Sequence, residues 1–119
     1  MQKSLMFVFS NPVDGEEDAY NEWYDNQHIP DIFAVPGVVA VQRYELVPLE
    51  LPEGAGPAPL TPPTHRYVAI YELDRDPAEV VNGILALADT DQMRTTDALD
   101  MSTLTQSVWQ PRGERRVAD

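Results

Sequence analysis

His28 and Asp31 are the two side chains best suited to proton transfer in this sequence. They lie three positions apart in the stretch 21–37, NEWYDNQHIPDIFAVPG, which also holds Trp23, Tyr24 and a closing Pro36-Gly37. An unperturbed imidazole titrates near neutral pH and exchanges protons at little cost. A carboxylate beside it can orient the ring or stabilise its cation. Tyr24 precedes His28 by one helical turn, so a helix here makes phenol and imidazole neighbours. There is also a structural reading. A histidine near a helix C-terminus satisfies exposed carbonyls, and Asp31 then only caps the next turn.

Other candidates are scattered along the chain. Trp23 and Tyr24 can line a pocket for an aromatic or apolar ligand, or pack in the core. Tyr67 and Tyr71 share a strand face, where a phenol can hold a substrate carbonyl or simply pack. Arg43 interrupts an apolar strand. It can anchor a carboxylate, or pair with Glu45, Glu72 or a second subunit. Thr103, Thr105 and Ser107 can floor a polar cleft or face solvent. His65 follows two prolines and is expected at the surface. The histidines form no HxH or HxxxH pair, so no metal site is expected. Haem would have His28 as an axial ligand without a second histidine in support. Gly-rich phosphate and dinucleotide loops and the G-x-S-x-G elbow are absent. The expectation is chemistry without a cofactor.

The elements that would position these groups fit one domain, residues 1–119. Eight basic against twenty acidic residues give a formal charge of −12, which repels phosphate backbones and anionic membranes. With no cysteine, disulfides, zinc–thiolate sites and thiol nucleophiles are excluded. No signal-peptide pattern opens the chain, and no apolar run approaches the roughly 20 residues that span a bilayer. A cytoplasmic protein with no nucleic-acid or membrane partner is expected.

Residues 4–10 (SLMFVFS) read as a strand covered on both faces, broken at Asn11-Pro12. Residues 14–27 read as a helix with Asp14 as N-cap and Glu17 completing a capping box. Tyr20, Trp23, Tyr24 and Gln27 define its inner face. The acids around them complement the helix dipole and face water. Pro30 limits the helix, and Asp31 caps a short turn over 32–35. Residues 38–47 form a second strand, with Val39, Val41, Arg43 and Glu45 on one face. A stiff proline-rich loop follows over 48–65. Residues 66–73 form a third strand. Asp76-Pro77 opens a second helix with a stripe of Ala78, Val81, Ile84, Leu85 and Ala88. Residues 101–109 form the last strand, before a polar tail over 112–119.

The order β-α-β-β-α-β is the ferredoxin-like arrangement of an α+β domain: a four-stranded antiparallel sheet with two helices on one face. The uncovered face is too apolar for water, and a homodimer packing sheet on sheet would cover it.

Trp23-Tyr24-Asp25, His28-Ile29-Pro30-Asp31 and Val35-Pro36-Gly37 together resemble the signature of EthD-like proteins in the dimeric α+β barrel superfamily. The resemblance implies the same strand order, dimerisation through the sheets, and a ligand cleft between sheet and helices. It implies Tyr24, His28 and Asp31 as candidate residues. The superfamily includes haem-degrading and cofactor-free monooxygenases, polyketide cyclases, a hydroxynitrile lyase, dehydratases and decarboxylases. The function that follows is a cofactor-free acid/base enzyme (lyase, dehydratase, cyclase or isomerase) on a small apolar or aromatic, polyketide-like substrate. His28 acts as acid/base and Asp31 as its orienter, with Tyr24, Trp23, Tyr67, Tyr71 and Arg43 binding substrate. The alternatives are a non-catalytic binding or accessory dimer and a cofactor-independent monooxygenase.

Overall fold

The computed structural model describes residues 3–49 and 64–119. Most of the proline-rich loop expected over 48–65 therefore lies outside the described residues. Four strands, β1 (Ser4–Pro12), β2 (Val38–Glu45), β3 (Tyr67–Leu73) and β4 (Leu99–Trp109), form one antiparallel sheet in the order β2-β3-β1-β4. Helical residues pack on one face, as the ferredoxin-like reading expects. None of the described helices is long and apolar enough to cross a membrane.

Alternation decides which side chains reach the core. Along β1, Met6, Val8 and Ser10 point to the helices, while Leu5, Phe7 and Phe9 lie on the other face. Along β3, Tyr67, Ala69, Tyr71 and Leu73 are all buried on the helix side. The expected alternation of β2 is interrupted by a register shift between Val38 and Ala40. This bulge puts Val38, opposite Leu73, and Val41, opposite Tyr71, on the same face. Arg43, opposite Ala69, follows them toward the helices.

Asn11-Pro12 does not end β1. The ladder with β4 shifts register after Phe9 and resumes at Asn11 and Pro12, opposite Asp100 and Leu99. Thr103 repairs the gap, its Oγ1 accepting the Asn11 N–H at 2.8 Å. The Asn11 side chain bridges to the start of β3 through the Arg66 N–H and the Thr64 carbonyl.

The first helical segment departs most from expectation. It starts at Glu17 rather than Asp14 and continues through Pro30. It comprises α1 (Glu17–Trp23), a π-helical turn (Tyr24–His28) and α2 (Ile29–Ile32). The Ile29 N–H reaches back five residues to the Tyr24 carbonyl. Proline lacks an N–H and crowds the carbonyl four residues back in an α-helix. A π turn just before it opens the backbone and lets the helix continue.

The second helix, α3 (Pro77–Ala88), starts as expected, with Asp76 Oδ1 accepting the Ala78 N–H at 3.0 Å. Its inner face is Val80, Ile84 and Leu87, and Leu85 is 66% exposed. The expected stripe is rotated. Gly83 explains the closeness of the fit, since a Cβ there would sit 3.1 Å from Val35 Cγ1.

Between sheet and α1, the fully buried Tyr20 hydroxyl and Ser10 Oγ share a 2.6 Å hydrogen bond. Tyr20→Phe leaves the Ser10 hydroxyl without this partner and is expected to cost about 1–2 kcal/mol. Denaturant melts of Tyr20→Phe and of the double variant with Ser10→Ala check this, the double variant recovering part of the loss.

Candidate functional site

A cavity of about 370 Å³ lies between the sheet and the helices, on the β1–β4 side. Its walls are largely apolar: Met6 and Val8 from β1, Leu104 from β4, Ile32, Ile84, and Met93 from the segment before β4. Arg94 borders it, and His28, Tyr24 and Tyr71 enter this surface together.

These three form a chain. His28 Nε2 is 3.1 Å from the Tyr71 hydroxyl, which is 3.3 Å from the Tyr24 hydroxyl. Trp23 stacks on the imidazole with centroids 4.7 Å apart and planes 25° from parallel, and the Tyr24 ring meets it edge-on. The π turn is what brings this about. It spans the residues from Tyr24 to His28 and sets the angle between the two side chains. Among the described residues, the buried His28 Nδ1 has no hydrogen-bond partner.

Burial sets the protonation states. It lowers the His28 pKa to about 4, against the opposing pull of the nearby Asp31 carboxylate, so the imidazole is neutral at pH 7. Burial likewise raises Tyr71 to about 12 and Tyr24 well above its ordinary value, so both phenols keep their protons. The site at neutral pH is thus an uncharged base next to two hydroxyl donors.

This burial has a consequence for stability. In the unfolded chain His28 titrates at about 6.5. Between that pH and about 4, the unfolded chain binds a proton that the folded chain does not. Stability therefore falls as pH drops through this window, by about 2–3 kcal/mol at pH 4.5. Denaturant melts at pH 7 and 4.5 check this: His28→Phe is expected to remove that part of the acid sensitivity.

Asp31 is placed differently from the orienter expected for His28. Its carboxylate accepts from the Arg94 backbone N–H at 2.9 Å, from Nε at 3.0 Å and from Nη2 at 2.9 Å. These bonds hold the Asp31 carboxyl below the ordinary carboxylate range. Arg94 Nη2 also donates to the Gln27 carbonyl, and Trp23 Nε1 donates to the Arg94 carbonyl. Asp31 thus stands behind the cavity wall and fastens the segment before β4 to the first helical segment. Sequence reasoning missed Arg94. Its one signal was a lone cation between Asp89 and Asp97, with its partner 63 positions away.

Of the other expected residues, Trp23, Tyr24 and Tyr71 line the cavity, while Tyr67 and Arg43 do not. The Tyr67 hydroxyl donates to Glu17 and accepts from Asn21. Arg43 pairs with Asp25 at 2.9 Å rather than with Glu45 or Glu72. Thr105 and Ser107 lie opposite Phe9 and Phe7, on the face away from the helices. The β4 residues that reach the cavity include Leu104 and Gln106 instead. The half-buried His65 ring donates through Nε2 to the Thr103 carbonyl at 2.7 Å.

No family model matches the sequence, and no curated protein matches it. Solved structures do resemble it. An EthD family protein from Bacillus halodurans aligns over 98% of this chain and 100% of its own, with a TM-score of 0.55 and 19% identity. HapK from Hahella chejuensis aligns over 97% and 99%, with a TM-score of 0.56 and 14% identity. A protein of unknown function from Nitrosomonas europaea aligns over 100% and 98%, with a TM-score of 0.52 and 16% identity. With the observed strand order and helix placement, these likenesses give the chain an EthD-like, ferredoxin-like fold.

Proposed function

We propose that this protein is a cofactor-free proton-transfer enzyme acting on a small apolar or aromatic carbonyl compound. The observation that carries it is the neutral His28 imidazole, hydrogen-bonded to Tyr71 in the wall of an apolar cavity. Substrate carbonyl oxygen takes the Tyr71 hydroxyl bond in place of His28 Nε2. The freed Nε2 lone pair then removes a C–H proton next to the carbonyl, and Tyr71 stabilises the enolate oxygen. A base with a pKa of about 4 is weak, so it suits a hydrogen already acidified, such as one between two carbonyls. That points to 1,3-dicarbonyl, polyketide-like substrates and to lyase, cyclase or isomerase chemistry.

Benzoylacetone supplied as its enol tests this reading, since the same groups run the reaction in either direction. The expected result is faster ketonisation, level above about pH 5 and falling toward pH 4 as His28 gains a proton. No acceleration overturns it. A second reading is a non-catalytic binding dimer, favoured by the commitment of Asp31 to Arg94 rather than to His28. It expects binding of the same compound without turnover.

The homodimer belongs to this proposal too. Phe7, Phe9 and Trp109 cluster on the sheet face away from the helices, with Phe7 6.2 Å from Trp109 and 6.3 Å from Phe9. Trp109 is 59% exposed, an arrangement suited to a second sheet. Sedimentation is expected to give a dimer at micromolar concentration and a monomer for Phe7→Asp.

A further inference from the structure

We infer that Arg43, although outside the cavity, is a positioning residue for the reaction: its guanidinium polarises the Tyr24–Tyr71 hydroxyl pair and so strengthens the bond to the substrate's developing oxyanion. The inference rests on the proton-transfer reading above and extends it to a cation on the far side of Tyr24.

The geometry is specific. The Arg43 guanidinium carbon lies 4.4 Å from the centre of the Tyr24 ring, and 5.5 and 5.4 Å from the Tyr20 and Tyr67 rings. Nη2 donates to Asn21 Oδ1 at 2.7 Å and Nη1 to Asp25 Oδ1 at 2.9 Å, which fixes the group over the ring. The ion pair is lopsided. The Arg43 side chain is 15% exposed and that of Asp25 is 57% exposed. Water therefore screens the anion more than the cation, and a net positive field remains at the phenols.

That field acts along the hydrogen-bonded chain. With Tyr24 donating to the Tyr71 oxygen and Tyr71 to the substrate, charge growing on the substrate oxygen is shared back toward Tyr24. A cation over the Tyr24 face withdraws electron density from the ring and makes its hydroxyl a stronger donor. Burial raises both phenols, and the Arg43 charge works against it at each of them. A purely structural arginine could stack on any of the three tyrosines. This one lies nearest the tyrosine that touches the site.

Para-nitrophenol, which ionises near neutral pH, reads the effect without turnover. Bound in the cavity, its oxygen stands in for the oxyanion, and absorbance gives the phenolate fraction at pH 7. Arg43→Gln is expected to lower the ratio of bound phenolate to phenol severalfold and to reduce kcat for benzoylacetone about tenfold with KM little changed. Arg43→Lys, which keeps the charge, restores most of both. Asp25→Asn leaves the cation less compensated and moves both readings the other way by a smaller amount, which serves as the test where Arg43→Gln does not fold. An unchanged phenolate ratio in Arg43→Gln, or in Asp25→Asn where that variant stands in, overturns the inference alone. Absence of para-nitrophenol binding to the unaltered protein overturns the site reading with it.

Discussion

His28→Gln is expected to slow benzoylacetone tautomerisation by about a hundred- to ten-thousandfold, the range that a positioned acid or base contributes. Glutamine is polar and can still bond to Tyr71, but it has no basic lone pair. The cavity keeps its apolar walls, so KM is expected to change little and the loss to fall on kcat. The pH profile supplies a second readout: the fall in rate toward pH 4, caused by protonation of the imidazole, disappears with the group. Asp31→Asn provides the contrast. Asp31 acts through Arg94 on the placement of the cavity wall, so its effect is expected to be well below that of His28→Gln. Steady-state kinetics of the two variants, with circular dichroism to check folding, decide the matter. A His28→Gln enzyme as fast as the unaltered protein would remove the base from the mechanism.

Gly37→Ala is expected to destabilise the fold by roughly 3–5 kcal/mol, adding a left-handed backbone cost to an overpacked contact. Gly37 turns the chain from α2 into β2 at φ 101°, a conformation that L side chains rarely adopt. A Cβ there would sit 2.7 Å from Val80 Cγ2 and 3.0 Å from the Arg75 side chain. Arg75 is exposed and can swing away. Val80 is fully buried against the core and cannot. The carbonyl of Gly37 also accepts the Asp74 N–H at 3.0 Å, so a shift of this turn disturbs the end of β3 as well. Urea melts check the size of the effect. A loss below about 1 kcal/mol would show that the turn relaxes freely.

Much of the fold was legible because local signals agree with it. The apolar run of β1, the alternation of β3 and the Asp76-Pro77 cap each require only neighbouring residues to be read. The errors arise where a distant partner decides. The bulge in β2 appears only when Leu73 and Tyr71 are set opposite Val38 and Val41. The β4 hydroxyls can floor a cleft or face solvent on local pattern alone, and only pairing with Phe9 and Phe7 shows that Thr105 and Ser107 turn away from the helices. In the site, the grouping of Trp23, Tyr24 and His28 followed from helical spacing. The role of Tyr71 as the partner of His28 did not, since it depends on a strand 43 positions later. Asp31 was paired with the nearest suitable group in sequence, whereas the structure gives it a guanidinium from another segment.

The π turn decides which changes of length this chain can absorb. Its hydrogen bond closes one turn with one residue more than the α-helical bond does. Deleting Asn26 or Gln27, both exposed, would restore α-helical register and leave the segments before and after the turn in the phase they have now. Tyr24 and His28 would then stand three positions apart and still be neighbours on one face. Deleting both would turn Trp23 and Tyr24 by about 100° relative to Ile32 and Val35, which are anchored in the core, and carry phenol away from imidazole. One residue of length is therefore dispensable at this point, and a second is not.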